Sequence, residues 1–598
     1  MKNSMTRAWE LYELGRAYNN RLEPNQYSLV NTNIAFFAGN QWLHMPDTPA
    51  MRRLPKPVFN IIKRVTALFV ASLTSSGAAI RFTPFSDYDT GDGAADYATA
   101  EVENLLERFK MEYRIREALF DGAQTGDYCA HFYWNPDARP YGGQYEDYRG
   151  QVEMELVDGI NVMFGNPADP CVERQPYILL LGRDTVENLR EEARRWHKSA
   201  AEEDIQPDLE LDGMAGQGGQ IELTDAEGGK ALYVYLYTKT VDPETGKSTI
   251  RVTKATRNAV IYEDVDTGLS RYPIAWGNWE KQKNQYHGRA LVTGIIPNQI
   301  FINTMFAMVM RHLQLLGFPK TVYNADLIGQ WNNEIGQAIG VRGLQPGQAI
   351  SQVAYNLQPA DMSNQILTVI DRAVGYTKDC LGATDAQMGN VKPDNTSALM
   401  VLQSSAEVPL ENTRAGLYEW LEDIGLILLD MMGTYYGQRP VVRSRVMREP
   451  VLVNGAPQLS AEGMMAVETV ERRVVELYDF SRFKDLHLNL RVDVGASSYF
   501  SEIAMTQTLD NLRQNGTLDI IQYLERLPEK LIPRKAELVE ELKKSQKQAV
   551  AAAGKALPAM GGSLSPDKVL AQQPVRIQAA YAELPKVAQR AILRKGMQ

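Results

Sequence analysis

The segment Leu291–Pro319, with the sequence LVTGIIPNQIFINTMFAMVMRHLQLLGFP, sets the organisation of the whole chain. Its apolar residues recur at helical spacing, which predicts a long helix, and Gly317 and Pro319 end it. The residues that form this pattern in its second half are Met305, Met308, Met310, Leu313 and Leu316. Taken alone, such a helix is more often part of a protein core than of an interface.

The elements after this helix follow an unusual order. A compact mixed segment rich in Gly and Gln, Lys320–Asp361, is followed by a second helix in Met362–Gly382 and by the polar loop Gly382–Ala398, GATDAQMGNVKPDNTSA. A helix of about forty residues, Ser397–Gly437, comes next, and we expect a kink at Pro409 because proline removes a backbone donor. A structureless loop longer than about 15 residues inside a compact domain is usually functional or disordered.

The part before the first helix combines helices with strands. Two helices are predicted over residues 5–20 and 26–37. A third is predicted in NIIKRVTALFVASLT, with Asn60 as its N-cap, and a fourth, long helix over Tyr97–Gly126. β-branched and aromatic runs bounded by turn residues predict a strand-rich unit over residues 125–277. Within it, residues 201–230 are acidic and rich in glycine, which predicts a flexible insertion.

The part after Gly437 is also mixed. PVLVNGAPQL has Asn454 and Gly455 at the centre of a predicted two-residue hairpin, and LHLNLRVDV alternates as a strand with one apolar face. Residues 501–547 are predicted to be helical, and residues 548–598 form a basic tail that we expect to be partly flexible. The fold class is therefore predicted to be α+β.

Composition excludes several classes of protein. The 598 residues are 44% hydrophobic and 23% charged, which is typical of a folded protein of several domains. The formal charge of −10 argues against a broad basic face for nucleic acid. Three widely spaced cysteines fit a reducing compartment, and no signal peptide is predicted, so we expect synthesis in the cytosol. Charged and polar residues interrupt both long apolar runs, which disfavours a membrane pore.

Motifs for catalysis or cofactor binding are lacking. VDPETGKST has Val241 where a phosphate loop needs its first glycine, and it lies between two strands, so Gly246 is predicted to form a hairpin turn. DYDTGDG lacks ligands of a calcium loop, GMAGQGGQ has the wrong context for a dinucleotide fingerprint, and there is no HExxH or GxSxG. We predict no catalytic residue, no metal site and no cofactor.

Four segments together resemble a known family. The first is FFAGNQW, Phe36–Trp42, and it is followed by RRLPKPVFNIIKRVTALFVASLTSSGAAIRFTP. The others are FDGAQTGDYCAHFYW, which contains Gly126, and YHGRALVTGIIPNQIFIN, in which Gly288, Pro297, Gln299 and Asn303 stand at the positions they have in the family. In this order they resemble portal proteins of tailed double-stranded DNA bacteriophages. Each motif is loose, and the order over roughly Asn31–Gly437 carries the resemblance.

The resemblance implies a ring, usually a dodecamer, with a wing, stem, clip and helical crown. The segments would be assigned as N-terminal helices and strand-rich wing (1–290), stem helix (291–317), clip (318–361), stem helix (362–381), tunnel loop (382–398), long kinked helix and wing strands (399–500), crown facing the capsid interior (501–547) and tail (548–598).

The resemblance also implies functional residues and partners. The tunnel loop would face double-stranded DNA through Gln387, Asn390, Lys392 and Asn395, and the clip would contact partners through Lys320, Trp331, Asn332 and Arg342. The partners would be terminase, tail or adaptor proteins, the major capsid protein and scaffolding protein, with no membrane. The ring would be found at the portal vertex of the virion, after assembly in the host cytoplasm.

Other interpretations remain open at this point. The loop could be an ordinary disordered connection, and Trp331 could belong to a small local core. A different class altogether, a cytosolic helical enzyme or scaffold with a β insertion, predicts a monomer or small oligomer with a concave pocket.

Overall fold

The computed structural model divides the chain into two compact units, residues 1–74 with 78–494 and residues 75–77 with 495–598. Helices and antiparallel strands are mixed in the first unit, in agreement with the predicted α+β class. The residues that the structure describes are 5–42, 51–74, 78–84, 93–141, 147–196, 204–207, 229–241, 243–244, 246–317, 320–329, 340–347, 349, 353–357, 365–382, 408–450, 452–453, 456–457, 467–484, 486, 488–494, 509–510, 512–513, 520–527, 538–539 and 542.

The regular elements of the described residues are numbered in chain order. The helices are α1 (Arg7–Arg21), α2 (Gln26–Ala38), α3 (Ile61–Leu73), α4 (Ala94–Arg108), α5 (Met111–Thr125), α6 (Val186–Arg195), α7 (Leu291–Gly317), α8 (Gln365–Leu381), α9 (Glu411–Tyr435) and α10 (Ile520–Arg526). The strands are β1 (Ala78–Pro84), β2 (Asp127–Asn135), β3 (Gln151–Val157), β4 (Val162–Phe164), β5 (Tyr177–Thr185), β6 (Lys230–Val241), β7 (Ser248–Ala255), β8 (Val260–Asp266), β9 (Ile274–Asn278), β10 (Lys320–Tyr323), β11 (Ala354–Leu357), β12 (Gln438–Pro450), β13 (Leu452–Val453), β14 (Ala456–Pro457), β15 (Val467–Asp479) and β16 (Leu488–Val494).

Helix α3 starts where the sequence predicts. Asn60 is its N-cap, and the Asn60 side-chain oxygen accepts a hydrogen bond from the Lys63 N–H at 3.0 Å. This bond satisfies one of the backbone donors that the first turn leaves free. Ile62, Val65 and Phe69 are buried along one side of the helix, as the spacing requires.

The single long helix predicted over Tyr97–Gly126 is instead two helices, α4 and α5. The break lies at Lys110, whose φ of 52° belongs to the left-handed region and ends an α-helix. Val102 in α4 and Leu119 in α5 are both fully buried, so the turn lets both helices face the core. No glycine or proline marks the break, and packing rather than local preference therefore places it.

Two antiparallel sheets occupy the predicted strand-rich unit. Strand β2 lies between β3 and β9, while β4 to β8 form a five-stranded sheet in chain order. The turn between β6 and β7 contains Gly246 at φ 66°, so VDPETGKST is a hairpin, as predicted. Most of the predicted insertion, residues 201–230, lies outside the described residues.

Strand β16 is the strand predicted from LHLNLRVDV, and it pairs with β1. Its Leu488, Leu490 and Val492 pack against the main core. Helix α9 crosses the same core, where the indole N–H of the fully buried Trp420 donates to the Ala275 carbonyl oxygen at 3.2 Å. Chain segments on both sides of α7 therefore close one core.

Strands β12 and β15 form a long two-stranded antiparallel ribbon. Between them, β13 pairs with β14 so that residues 454 and 455 separate the two strands, at the predicted hairpin position. In the second unit, α10 contributes Ile521, Tyr523 and Leu524 to a small apolar cluster with Leu509, Leu527 and Val539. The predicted tail, residues 548–598, lies outside the described residues.

Candidate assembly site

Helix α7 is held in the core by its first half and exposes large apolar residues in its second half. In the first half, Val292, Ile295 and Ile302 are at most 1% exposed. In the second half, Met308 is 51% and Leu313 is 55% exposed. The helix is thus fixed in the protein at one end and presents apolar side chains at the other.

Three buried amides, Gln41, Gln299 and Asn303, fix the first half of α7 to the segments before α3. Gln299 Nε2 donates to the Phe59 carbonyl oxygen at 2.8 Å and to Asn303 Oδ1 at 2.9 Å, and Gln299 Oε1 accepts from the Ile61 N–H at 3.1 Å. Asn303 Nδ2 donates to Gln41 Oε1 at 2.5 Å. We call the three side chains, each fully buried, the amide relay.

The amide relay explains residues that the sequence analysis could only place in a motif. Gln41 belongs to FFAGNQW, whereas Gln299 and Asn303 belong to YHGRALVTGIIPNQIFIN. Buried amides are retained where their hydrogen bonds are satisfied. The two distant motifs are therefore the two sides of one contact.

A buried carboxylate anchors the loop before α7. Asp127 Oδ1 accepts from the Gly288 N–H at 2.6 Å and from Asn278 Nδ2 at 2.7 Å, and Asp127 Oδ2 lies 2.6 Å from His287 Nδ1. A Cβ on Gly126 would lie 2.4 Å from the Gly288 carbonyl oxygen, and Gly126 has a φ of 100°. The close approach of the two backbones therefore requires glycine at this position.

Helix α7 exposes large apolar residues on two sides. Phe301 and Met308 are both exposed and are seven residues apart, so they lie on one side of the helix. Met310, also exposed, follows Met308 by two residues and therefore lies about 200° around the axis. Leu313 shares the side of Met310.

Helix α8, which packs against α7, shows the same arrangement. Val369 and Tyr376 are exposed and seven residues apart, so they share a side. The exposed Leu367 precedes Val369 by two residues and lies on the other side. Ile370 is buried, so the pair of helices has an interior contact as well as two apolar outer sides.

A short β-ribbon joins the two helices where the sequence analysis places the clip. Lys320 begins β10 and pairs with Leu357 of β11. Arg342 is exposed, and its N–H donates to the Leu327 carbonyl oxygen at 3.0 Å. The other residues predicted to contact partners, Trp331 and Asn332, lie outside the described residues.

The predicted tunnel loop leaves and rejoins the structure at one place. A Cβ on Gly382, which has a φ of 76°, would lie 2.5 Å from Cγ of Pro409, so the two ends of segment 383–407 are side by side. The chain between them lies outside the described residues, including the four predicted DNA-facing residues Gln387, Asn390, Lys392 and Asn395.

Pro409, where the sequence predicts a kink in a long helix, lies close to the start of α9. It lies in the 3₁₀ turn Val408–Leu410, and α9 begins directly after it at Glu411. Residues 397–407 of the predicted helix lie outside the described residues, so the kink at Pro409 stays a prediction.

By length and composition alone, Leu291–Gln314 of α7 could cross a membrane. Arg311 and His312 interrupt this span. The packing of the first half of the helix, with the amide relay inside a protein core, is that of a core helix in the fold described above. Among the residues that the structure describes, no group of His, Cys, Asp or Glu could hold a metal ion.

One comparison with known protein families matches a long part of the chain. The family model described as phage P22-like portal protein matches residues 230–586, a span that includes α7, α8, the ribbon between them and α9. No curated protein sequence matches the chain. Because the matched span covers more than half of the sequence, the chain belongs to the phage P22-like portal protein family.

Proposed function

We propose that the chain is one subunit of a homo-oligomeric ring, a dodecamer, at a unique vertex of the phage capsid. The ring forms the channel through which double-stranded DNA is packaged and later ejected, and it has no enzymatic activity of its own. Membership of the portal family supports this role. The observation that carries it is the presence of exposed apolar residues on two sides of both α7 and α8.

Two apolar sides favour a ring over a two-fold dimer. A two-fold dimer uses one patch that meets itself, whereas a ring joins one side of each subunit to a different side of the next. Phe301 and Met308 on one side of α7, and Met310 and Leu313 on the other, provide such a pair of contacts. In this arrangement α7 and α8 are the stem, and residues 318–361 are the clip.

The loop of residues 382–398 lines the channel. It belongs to segment 383–407, whose flanking residues Gly382 and Pro409 are adjacent, so the segment is an excursion from one point of the subunit, as a loop that reaches a ring axis must be. The amides of Gln387, Asn390 and Asn395 suit a lining that lets DNA slide, because they form interchangeable hydrogen bonds. Lys392 adds a phosphate contact that a counterion can replace.

The remaining partners follow from a portal role. The clip, with Lys320, Trp331, Asn332 and Arg342, docks the terminase motor during packaging and then the tail or adaptor proteins. The major capsid protein and scaffolding protein contact other parts of the ring, among them the crown at residues 501–547. The ring assembles in the host cytoplasm and is found in the virion.

Electron microscopy of the purified full-length protein tests the ring. We expect closed rings with a central hole wide enough for a DNA duplex. A uniform population of compact monomers that persists at high concentration, with DNA or scaffolding protein added, would overturn the proposal and favour a cytosolic enzyme or scaffold.

A second experiment tests the loop. Lys392→Ala, combined with alanine at the three loop amides, should lower the amount of DNA packaged or retained per particle in a complementation assay. Lys283→Ala, at an exposed lysine outside the loop, is the matched control and should leave both quantities unchanged. Normal packaging and retention in the loop variant would show that the loop does not line the channel.

A further inference from the structure

A cavity of about 380 Å³ lies between α4 and β12 in the first unit. Its lining residues are Glu101, Asn104, Glu107 and Arg108 of α4, Tyr141, and Pro440 and Val442 of β12. The wall is thus apolar and aromatic on one side, whereas the α4 side carries two carboxyl groups, one amide and one guanidinium group. Neither the ring proposal nor the channel uses this cavity.

Glu101 is the unusual member of this set, because it is only 2% exposed. Its Oε2 accepts from Asn104 Nδ2 at the long distance of 3.5 Å, and its Oε1 has no hydrogen-bond partner among the described residues. Burial raises the pKa of Glu101 to about 7, while the charge of Arg108 acts in the opposite direction. A buried carboxyl group without a donor is costly, and a cation would relieve that cost.

Two arginines near Glu101, Arg108 and Arg439, act on its charge. The Arg439 guanidinium donates to the carbonyl oxygens of Tyr436 at 3.1 Å and Gly150 at 2.7 Å, and to that of Arg149. Arg108 lies over the Tyr141 ring, 5.5 Å from its centroid. Within the described residues, neither arginine forms a hydrogen bond or an ion pair with Glu101.

We propose that this cavity binds an organic cation, a primary ammonium or guanidinium group, whose N–H groups donate to the free oxygen of Glu101. Glu107 adds a second negative charge, and Tyr141 and Val442 contact the aliphatic part of the ligand. A cation beside Glu101 favours its ionised form, so binding near pH 7 releases a proton from the carboxyl group. The cation can be a free amine or a Lys or Arg side chain of another copy of the chain.

Calorimetry with butylammonium chloride tests the site, with sodium chloride at equal ionic strength as the reference. We expect saturable binding of one cation per subunit, and proton release at pH 7 that disappears at pH 8.5. Glu101→Gln should weaken binding by about tenfold or more, because the negative charge that pairs with the cation is lost and only one acceptor oxygen remains. Glu103→Gln, at an exposed carboxylate two residues away, should bind as the wild type does.

A second variant separates the site from any effect on folding. Val442→Phe enlarges a half-exposed side chain at the cavity wall, leaves Glu101 in place and should abolish binding. Equal binding by wild type, Glu101→Gln and Val442→Phe would overturn the proposal.

Measurements on monomer and ring, separated by gel filtration, distinguish the two sources of the cation. Binding in both states identifies a site for a free amine. Binding in the monomer only identifies a side chain from a neighbour, in which case Glu101→Gln should also lower the melting temperature of the ring. The absence of binding in both states, together with an unchanged melting temperature of the Glu101→Gln ring, would overturn the proposal.

Discussion

Replacement of Gln299 by leucine tests the amide relay, because leucine has nearly the same size but no polar atoms. The change removes three hydrogen bonds, to Phe59, Ile61 and Asn303. Asn303 Oδ1 is left buried without a partner, which costs about 1–3 kcal/mol. The Ile61 N–H and the Phe59 carbonyl oxygen still bond to each other at 2.8 Å, so each of their lost bonds costs about 0.5–1.5 kcal/mol.

These costs sum to a loss of about 2–6 kcal/mol in the free energy of unfolding of the first unit. Urea unfolding followed by tryptophan fluorescence measures this quantity, since all eight tryptophans precede residue 495. The control is Asn298→Leu at the exposed neighbouring position, which should change the free energy by less than about 0.5 kcal/mol. A loss no larger for Gln299→Leu than for the control would refute the role of the relay.

Three further predictions concern other parts of the first unit. Met308→Glu should shift the equilibrium from ring to monomer by about tenfold or more in sedimentation velocity, without lowering the stability measured by fluorescence. Gly126→Ala should destabilise the unit by about 2 kcal/mol or more, because its Cβ meets the Gly288 carbonyl oxygen, whereas Gly246→Ala, with open space around its Cβ, should cost only about 1 kcal/mol. Folding raises the pKa of Glu101 from 4.5 to about 7. The folded state therefore favours the protonated carboxyl group, and this contribution to stability is lost as the pH rises from 4.5 to 7. Urea unfolding should show the wild type losing about 2 kcal/mol more between pH 5 and pH 8 than Glu101→Gln, which has no carboxyl group at this position.

Local patterns predicted those elements that local physics determines. The cap at Asn60 and the alternating strand β16 could be predicted because a side-chain acceptor and a two-residue period act within a few residues. The break at Lys110 could not, since the packing of α4 and α5 on one core places it.

The sites show a similar limit. The motifs that contain Gln41 and Asn303 could be recognised, but their hydrogen bond joins residues 262 positions apart and is a property of the tertiary fold. Glu101 looks like one carboxylate of a mixed charged face, although Ala98, Val102 and Leu105 around it trace the buried stripe of α4. That stripe was the available signal for a buried acid.

The pairing of β1 with β16 has a consequence for synthesis of the chain. Its register joins Ala78 to Val494, so the partner of an early strand is made about 400 residues later. At about 5–20 residues per second, β1 waits roughly 20–80 s on the ribosome with an unpaired edge. The apolar sides of α7 and α8 are also made before that strand arrives. The first unit therefore closes only late in translation, and the nascent chain needs protection from other nascent copies of itself during that interval.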